Sequence, residues 1–167
     1  GTALYVGKDD LIYDQAVREA EMYSNAGVDG IIIENMHDTP YLRNEVGHEI
    51  STMMAVISRA VKQTSKLPCG VQVLAGANDA AMAIAKAGGL DFVRVEGFVF
   101  AHVADEGIIQ SSAGTLLRYR KQINADNVLV FTDIKKKHSS HSITEDVDIT
   151  ETAKAAAFFR SNGVIVT

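Results

Sequence analysis

A chain of 167 residues and 18.0 kDa, 47% apolar and 22% charged, with 13 Gly and only 2 Pro, is long enough to bury a core and reads as one globular domain. Lys and Arg number 16 against 21 Asp and Glu, a net charge of -5, so nucleic acid would find no basic face to neutralise its phosphates. No apolar run nears the roughly 18 residues of a membrane span, and the single Cys69, among apolar neighbours, forms no internal disulfide and reads as a buried small hydrophobe of a reducing compartment.

The elements follow in chain order. Asp10 before Leu11-Ile12 marks a helix start, and Ala26-Gly27 its end; the chain then drops into Gly30-Ile31-Ile32-Ile33, the first of five short branched runs that read as buried strands. Ile50, Met53, Met54, Ile57 and Val61 fall on one face of the next helix. Val71-Gln72-Val73-Leu74 is the second strand; Asp79 opens a helix that Gly88-Gly89 closes before Phe92-Val93-Arg94-Val95. Asp105-Glu106-Gly107 reads as a tight turn, and Leu116-Leu117-Arg118-Tyr119-Arg120-Lys121 as a helix with a basic outer face. Val128-Leu129-Val130-Phe131 is the fourth strand. Asp148 with Glu151 three residues on is a capping-box start for the last helix, which Asn162-Gly163 ends before Val164-Ile165-Val166.

Strand, loop, helix, glycine turn, strand is the βαβ unit, so the expected sheet is parallel with right-handed crossovers. Two architectures carry that alternation, an open parallel α/β sheet and a closed (β/α)8, or TIM, barrel. The turn after Ile33 holds no glycine fingerprint for a dinucleotide, and no Walker loop occurs. Polar residues gather instead at the carboxyl ends of strands, where a barrel carries its site. A closed barrel needs about 200 residues or more, so the expectation is a truncated TIM-type barrel filling residues 1–167, with the open sheet as the alternative.

Residues two apart on a strand share a face, which aligns Ile32 with Glu34, Gln72 with Leu74, Arg94 with Glu96, and Phe131 with Asp133 and Lys135. Glu34, Gln72, Arg94, Glu96 and Asp133 would then converge at one mouth. The competing account is a structural ion pair in which Arg94 merely neutralises a carboxylate. Glu34 and Asn35, with His37 and Asp38, make a polar loop at the end of the first strand. The densest polar segment is residues 132–141, with Lys135, Lys136, Lys137, His138 and His141. A lysine at a strand end could hold a phosphate. His138 and His141, three apart near Asp133, could ligate a metal, but that spacing in a loop is a weak ligand set and no metal site is expected.

In this order, Asp29 through Pro40 (Asp-Gly-Ile-Ile-Ile-Glu-Asn-Met-His-Asp-Thr-Pro), Phe92-Val93-Arg94-Val95, Asp105-Glu106-Gly107-Ile108-Ile109, Leu117-Arg118-Tyr119-Arg120-Lys121, Asp133-Ile134 and Lys137-His138 together resemble the BtpA family. The resemblance covers essentially the whole chain. It implies a TIM barrel akin to the ribulose-phosphate-binding barrels, of which strands 2–6 are present, in a family of unassigned activity with a photosystem I biogenesis protein as namesake. The chain departs from the family pattern at Gln72, at Gly76-Ala77-Asn78-Asp79 and at Glu96.

Two functions are therefore carried forward. The first is an enzyme of lyase or isomerase type acting on a phosphorylated sugar or similar small anionic metabolite. Asp133 and Glu34 would serve as proton acceptors and His138 as acid or base, with Asn35, Gln72, Arg94, Glu96, Lys135 and Lys137 binding the substrate. The second is a non-catalytic assembly factor for a protein complex. The residues name no cofactor, and self-association is left open. The chain starts at Gly1-Thr2 without Met, so the start is expected to have been removed or the chain to be a fragment; the cytoplasm is the expected compartment, or the mitochondrial matrix if a targeting segment has been lost.

Overall fold

The computed structural model describes residues 5–167. Its elements are α1 (Asp9–Asn25), β1 (Ile31–Glu34), α2 (His48–Ser65), β2 (Cys69–Gln72), α3 (Asn78–Gly88), β3 (Phe92–Val95), β4 (His102–Ala104), β5 (Gly107–Ile109), α4 (Ala113–Gln122), β6 (Leu129–Asp133), a 3-10 turn at Ser142–Thr144, α5 (Ile149–Phe158) and β7 (Gly163–Ile165). Five strands form one parallel sheet in the order β1-β2-β3-β6-β7, while β4 and β5 pair as a separate antiparallel hairpin. Among the described residues the sheet does not close: β1 and β7 each have a single neighbour, so the five expected strands form an open parallel α/β sheet, the alternative architecture.

Because successive parallel strands lie side by side, every right-handed crossover passes over the same face. That face holds the core. Val71, Val93, Val95 and Val130 are fully or almost fully buried against Met54, Ile57, Val61, Met82 and Leu116 of the helices. Burial of each such side chain contributes about 1.5–3 kcal/mol. The other face carries the alternate residues and stays accessible, with Ile32 41% and Leu129 40% exposed.

Two glycines shape this second face. A Cβ on Gly70 would stand 2.1 Å from the Phe92 ring, and one on Gly163 would stand 2.8 Å from the Phe131 ring. The two rings meet edge to face with centroids 5.3 Å apart, so glycine lets both aromatics lie flat across neighbouring strands. Gly163 was expected to end a helix. It lies inside β7 instead, and the left-handed residue after α5 is Arg160, at φ 67.

Other local expectations shift by a residue or two. The second strand spans Cys69–Gln72, not residues 71–74, because pairing with β1 runs from Ile31↔Cys69 to Glu34↔Gln72. Beyond it, Leu74 N donates to Asn35 Oδ1 and the Ala75 backbone bonds Leu42 and Asn44, which turns the buried run into a loop. Asp10 and Asp79 sit within the first turns of α1 and α3 and not ahead of them, where a carboxylate still favours the helix dipole. Asp148 caps α5 by accepting from Glu151 N at 2.7 Å, but the Glu151 carboxylate turns to Lys154, so only half of the capping box forms.

Candidate functional site at the carboxyl ends of the strands

Parity places Glu34, Arg94 and Asp133 together on the accessible face, opposite the valines that pack under the helices. Arg94 Nε donates to Asp133 Oδ1 at 3.0 Å and to Oδ2 at 3.3 Å, and its Nη1 donates to Glu34 Oε1 at 3.2 Å. One guanidinium on β3 thus bridges carboxylates on β1 and β6, across the full width of the central strands. The Asp133 side chain is only 2% exposed, against 23% for Arg94 and 20% for Glu34. Burial pushes the Asp133 carboxyl above its ordinary value and Glu96 adds to that push, against the pull of Arg94 and Lys136. Arg94, in turn, is held in its charged form by Asp133 and Glu34 although burial opposes it.

A second cluster lies one step further along β3. Glu96 is 1% exposed; its Oε1 accepts from Lys136 Nζ at 2.6 Å and pairs with His102 Nε2 at 3.3 Å. Burial alone would raise this carboxyl, but His102 and Lys136 together hold it below the usual glutamate range. Its other oxygen, Oε2, is buried with no partner. His102 starts β4, and the hairpin is fastened over the mouth by paired backbone bonds between Val103 and Ser140 at 3.0 and 2.8 Å. The His102 and His141 rings lie tilted at 42° to each other with centroids 5.6 Å apart.

A small cavity opens between these elements, lined by residues of the 97–101 loop together with His102, Asp133, Lys135, Lys136 and His141. It has room for little more than a water molecule. A wider groove lies to one side, at the starts of α3 and α4, between Asn44, Asp79 and Ser112.

The remaining expected site residues separate. Gln72 is buried on the same face of the sheet as Arg94. Asn35 is a bracket between loops: Oδ1 accepts from Leu74 N at 2.8 Å, and Nδ2 reaches Leu74 O and Asp38 at 3.4 Å. Lys135 lines the cavity while its Nζ donates to Thr144 O at 2.9 Å. Lys137 and His138 are exposed, and no side-chain contact joins either to the carboxylates, because the chain turns through left-handed Lys135 and His138 (φ 46 and 56) and carries them outward. Lys136, His102 and His141 take their place beside the cavity. No periodicity in the sequence marks these three; the only signal was their membership of the polar loop and of an unexplained histidine six residues after Glu96. Among the described residues, no three His, Cys, Asp or Glu side chains are grouped as a metal would require, and no helix is long and apolar enough to cross a membrane.

Fold and site together define a parallel α/β protein whose charged residues are gathered at the carboxyl ends of its strands. The sequence matches the BtpA family over residues 1–167, and the chain belongs to that family. It is 52% identical over 156 residues to an uncharacterized mitochondrial protein of Caenorhabditis elegans, covering 90% of this chain and 56% of that protein. An uncharacterized protein of Archaeoglobus fulgidus is 40% identical over 78% of this chain and 52% of its own length. The photosystem I biogenesis protein BtpA of Synechocystis is 32% identical over 83% of this chain and 48% of its own length. The chain thus spans about half the length of these relatives.

Proposed function

We propose that the carboxyl ends of the strands bind a small anionic metabolite, a phosphorylated sugar or a compound of that kind, and that Asp133 moves a proton on it in a lyase or isomerase reaction. The observation that carries this reading is the state of Asp133: a buried strand-end carboxyl, raised by burial, oriented through two bonds from Arg94 and lining a cavity with Lys136, His102 and His141. A carboxylate so placed would take a proton from a carbon next to a carbonyl, its electron pair passing to the carbonyl oxygen, where Lys136 or Arg94 would meet the developing charge. Lys137 and His138, both exposed, drop out of the proposal, and Lys136 with His102 and His141 enter it.

In this reading the accessible face of the sheet, with Ile32, Phe92, Phe131 and the charged row above them, is the inner wall of a (β/α)8 barrel in the full-length protein. The name of the Synechocystis relative supports a second reading, an assembly factor, for which the exposed Met22, Tyr23 and Phe158 on the flanking helices would be contact residues. The Caenorhabditis elegans relative supports the mitochondrion as the compartment.

A thermal-shift panel of phosphorylated sugars, their unphosphorylated parents and unrelated anions tests the proposal, since a ligand that binds only the folded state raises Tm by mass action. Stabilisation by one or a few phosphorylated sugars, lost in Arg94→Met, is the expected result; a panel with no selective response would overturn it.

A further inference from the structure

We propose that Glu34, Gln72 and Arg94, side by side on the accessible face of β1, β2 and β3, form a subsite for two adjacent hydroxyl groups of a sugar, and that the Gln72 amide reads them; this rests on the small-metabolite reading above. The first observation is an amide without a partner. Gln72 is 4% exposed, yet among the described residues its side chain makes no hydrogen bond. Buried side-chain polar atoms are paired in the large majority of cases, so this amide calls for a donor and an acceptor from outside the chain. It can be reached. The described side-chain atoms that are both sealed and unpaired are Ser58 Oγ, Glu96 Oε2 and Ser139 Oγ, and neither polar atom of Gln72 is among them.

The second observation is its position. Glu34 pairs with Gln72 in register, and Val71 pairs with Val93, so the next step along β2 and β3 sets Gln72 beside Arg94. Val71 lies in the core under the helices, and parity therefore turns Gln72 to the other face, with Glu34 and Arg94. Neighbouring strands lie about 4.8 Å apart, and the bond of 3.2 Å from Arg94 Nη1 to Glu34 Oε1 crosses from β3 to β1 over the strand that carries Gln72. The two side chains of that bridge remain 23% and 20% exposed.

The third observation is what the row still offers a ligand. Arg94 uses Nε on Asp133 and Nη1 on Glu34 Oε1, which leaves Nη2 without an acceptor and Glu34 Oε2 without a donor among the described residues. With the amide, the three neighbouring strands present a carboxylate oxygen, an amide oxygen and nitrogen, and guanidinium hydrogens. Charge decides among ligands. One guanidinium stands between Glu34 and Asp133, so an anion on the row would face two carboxyl groups, and an ammonium would face the guanidinium. A hydroxyl is uncharged and both donates and accepts; one meets the Gln72 amide, and a second meets Glu34 Oε2 and Arg94 Nη2. Because Arg94 also holds Asp133, the hydroxyl-bearing carbons would lie next to the carbon from which Asp133 takes its proton. An analogue lacking one of these hydroxyls leaves a polar group of the site unpaired, which is how such sites discriminate.

The test uses the isotope-labelled full-length protein with free sugars and linear polyols of about four to six carbons, each beside the analogues that lack one hydroxyl at each position in turn. At least one sugar or polyol should shift the side-chain NH2 resonances of Gln72 saturably, and one or more of its deoxy analogues should bind about tenfold more weakly or worse. Gln72→Met, which keeps the length of the side chain and removes the amide, should bring that pair to within about twofold. Inorganic phosphate should leave the Gln72 resonances in place. No saturable shift with any member of the set, equal binding of a sugar and all of its deoxy analogues by the wild type, or a saturable Gln72 shift with phosphate alone would each overturn the inference, whether or not the variant folds. The two proposals fail separately. Phosphorylated sugars that stabilise the protein without moving Gln72 would refute this subsite alone, while free sugars that bind here, with no selective response to any phosphorylated sugar, would refute the phosphorylated-metabolite reading and keep the subsite.

Discussion

Asn78 holds the backbone of Glu96 in both directions: its Nδ2 donates to Glu96 O at 2.7 Å, and its Oδ1 accepts from Glu96 N at 3.3 Å. The ladder of β3 ends at Val95, and the side chain of the first residue of α3 replaces it for one more residue. Nδ2 also donates to Ser112 Oγ at 2.9 Å, which ties α4 to the same point. The position of the Glu96 carboxylate, and with it Lys136 and His102, therefore depends on a residue that bonds the Glu96 backbone and not its carboxylate.

Asn78→Ala should destabilise the protein by about 2 kcal/mol or more, because it strands a buried N–H and a buried carbonyl at once. Ser112→Ala should cost well under that, since Gly97 O keeps its bond from the Ser112 backbone at 2.9 Å. Urea unfolding of the two variants checks the order, and a Ser112 variant as damaged as the Asn78 variant would contradict it.

Much of this arrangement is legible in the sequence. The parity of β1, β3 and β6 put Glu34, Arg94 and Asp133 on one face, because a one-residue slip would have turned charge under the helices. The stripe of Met54, Ile57 and Val61 was equally plain, since a helical period leaves no choice of face. What could not be read was anything set by loop geometry. Lys136 reaches Glu96 while Lys137 turns away, and only the left-handed backbone at Lys135 and His138 decides between adjacent lysines. The β4–β5 hairpin was seen only as its turn, because strands of three residues carry too little alternation to announce themselves. Whether the strands belong to an open sheet or to part of a barrel is not legible in the sequence, because a βαβ repeat is shared by both.

Arg94→Met should cost about 2–3 kcal/mol at neutral pH, somewhat less than breaking a fully buried pair because the guanidinium is 23% exposed. It leaves Asp133 buried without its cation. The loss should shrink as pH falls and the unpaired carboxyls take up protons, and adding Asp133→Asn should restore much of the stability. A double variant no better than Arg94→Met would argue that the guanidinium acts through packing and not through charge.

The two buried carboxyls should give stability opposite dependences on acid. Asp133 is raised in the folded protein, so the native state binds that proton more tightly than the unfolded chain; its contribution is best at low pH and is lost as pH rises from the ordinary aspartate value through the folded one. Glu96 is lowered, so its contribution is present above the ordinary glutamate value and is lost as pH falls through the folded one. Asp133→Asn should therefore be close to wild type in stability at neutral pH, within about 1 kcal/mol, while abolishing any turnover that depends on a proton acceptor there. Glu96→Gln should be less stable than wild type at neutral pH and lose the acid limb. Melting temperatures of the three proteins across the acid range, set beside activity on any substrate the thermal-shift panel finds, separate the two roles.

Gly70→Ala should be among the most damaging small substitutions on the accessible face, and its cause can be isolated. The new methyl would stand 2.1 Å from the Phe92 ring, with two further ring atoms at 2.4 and 2.5 Å, where no real Cβ sits. The ring cannot swing far, because it packs edge to face on Phe131, whose own ring lies over Gly163. Overpacking of this kind costs about 1–3 kcal/mol, and the strain should pass along the row to tilt Arg94, two residues from Phe92 on the same face. Gly163→Ala, with its methyl 2.8 Å from the Phe131 ring and at the last strand of the sheet, should cost less. If crowding of the ring is the cause, Phe92→Leu should be mildly destabilising alone yet should relieve Gly70→Ala, so that the double variant is more stable than Gly70→Ala by itself. Additive losses in that cycle would show instead that Gly70 is required by its backbone between β1 and β3, and that the two phenylalanines are bystanders.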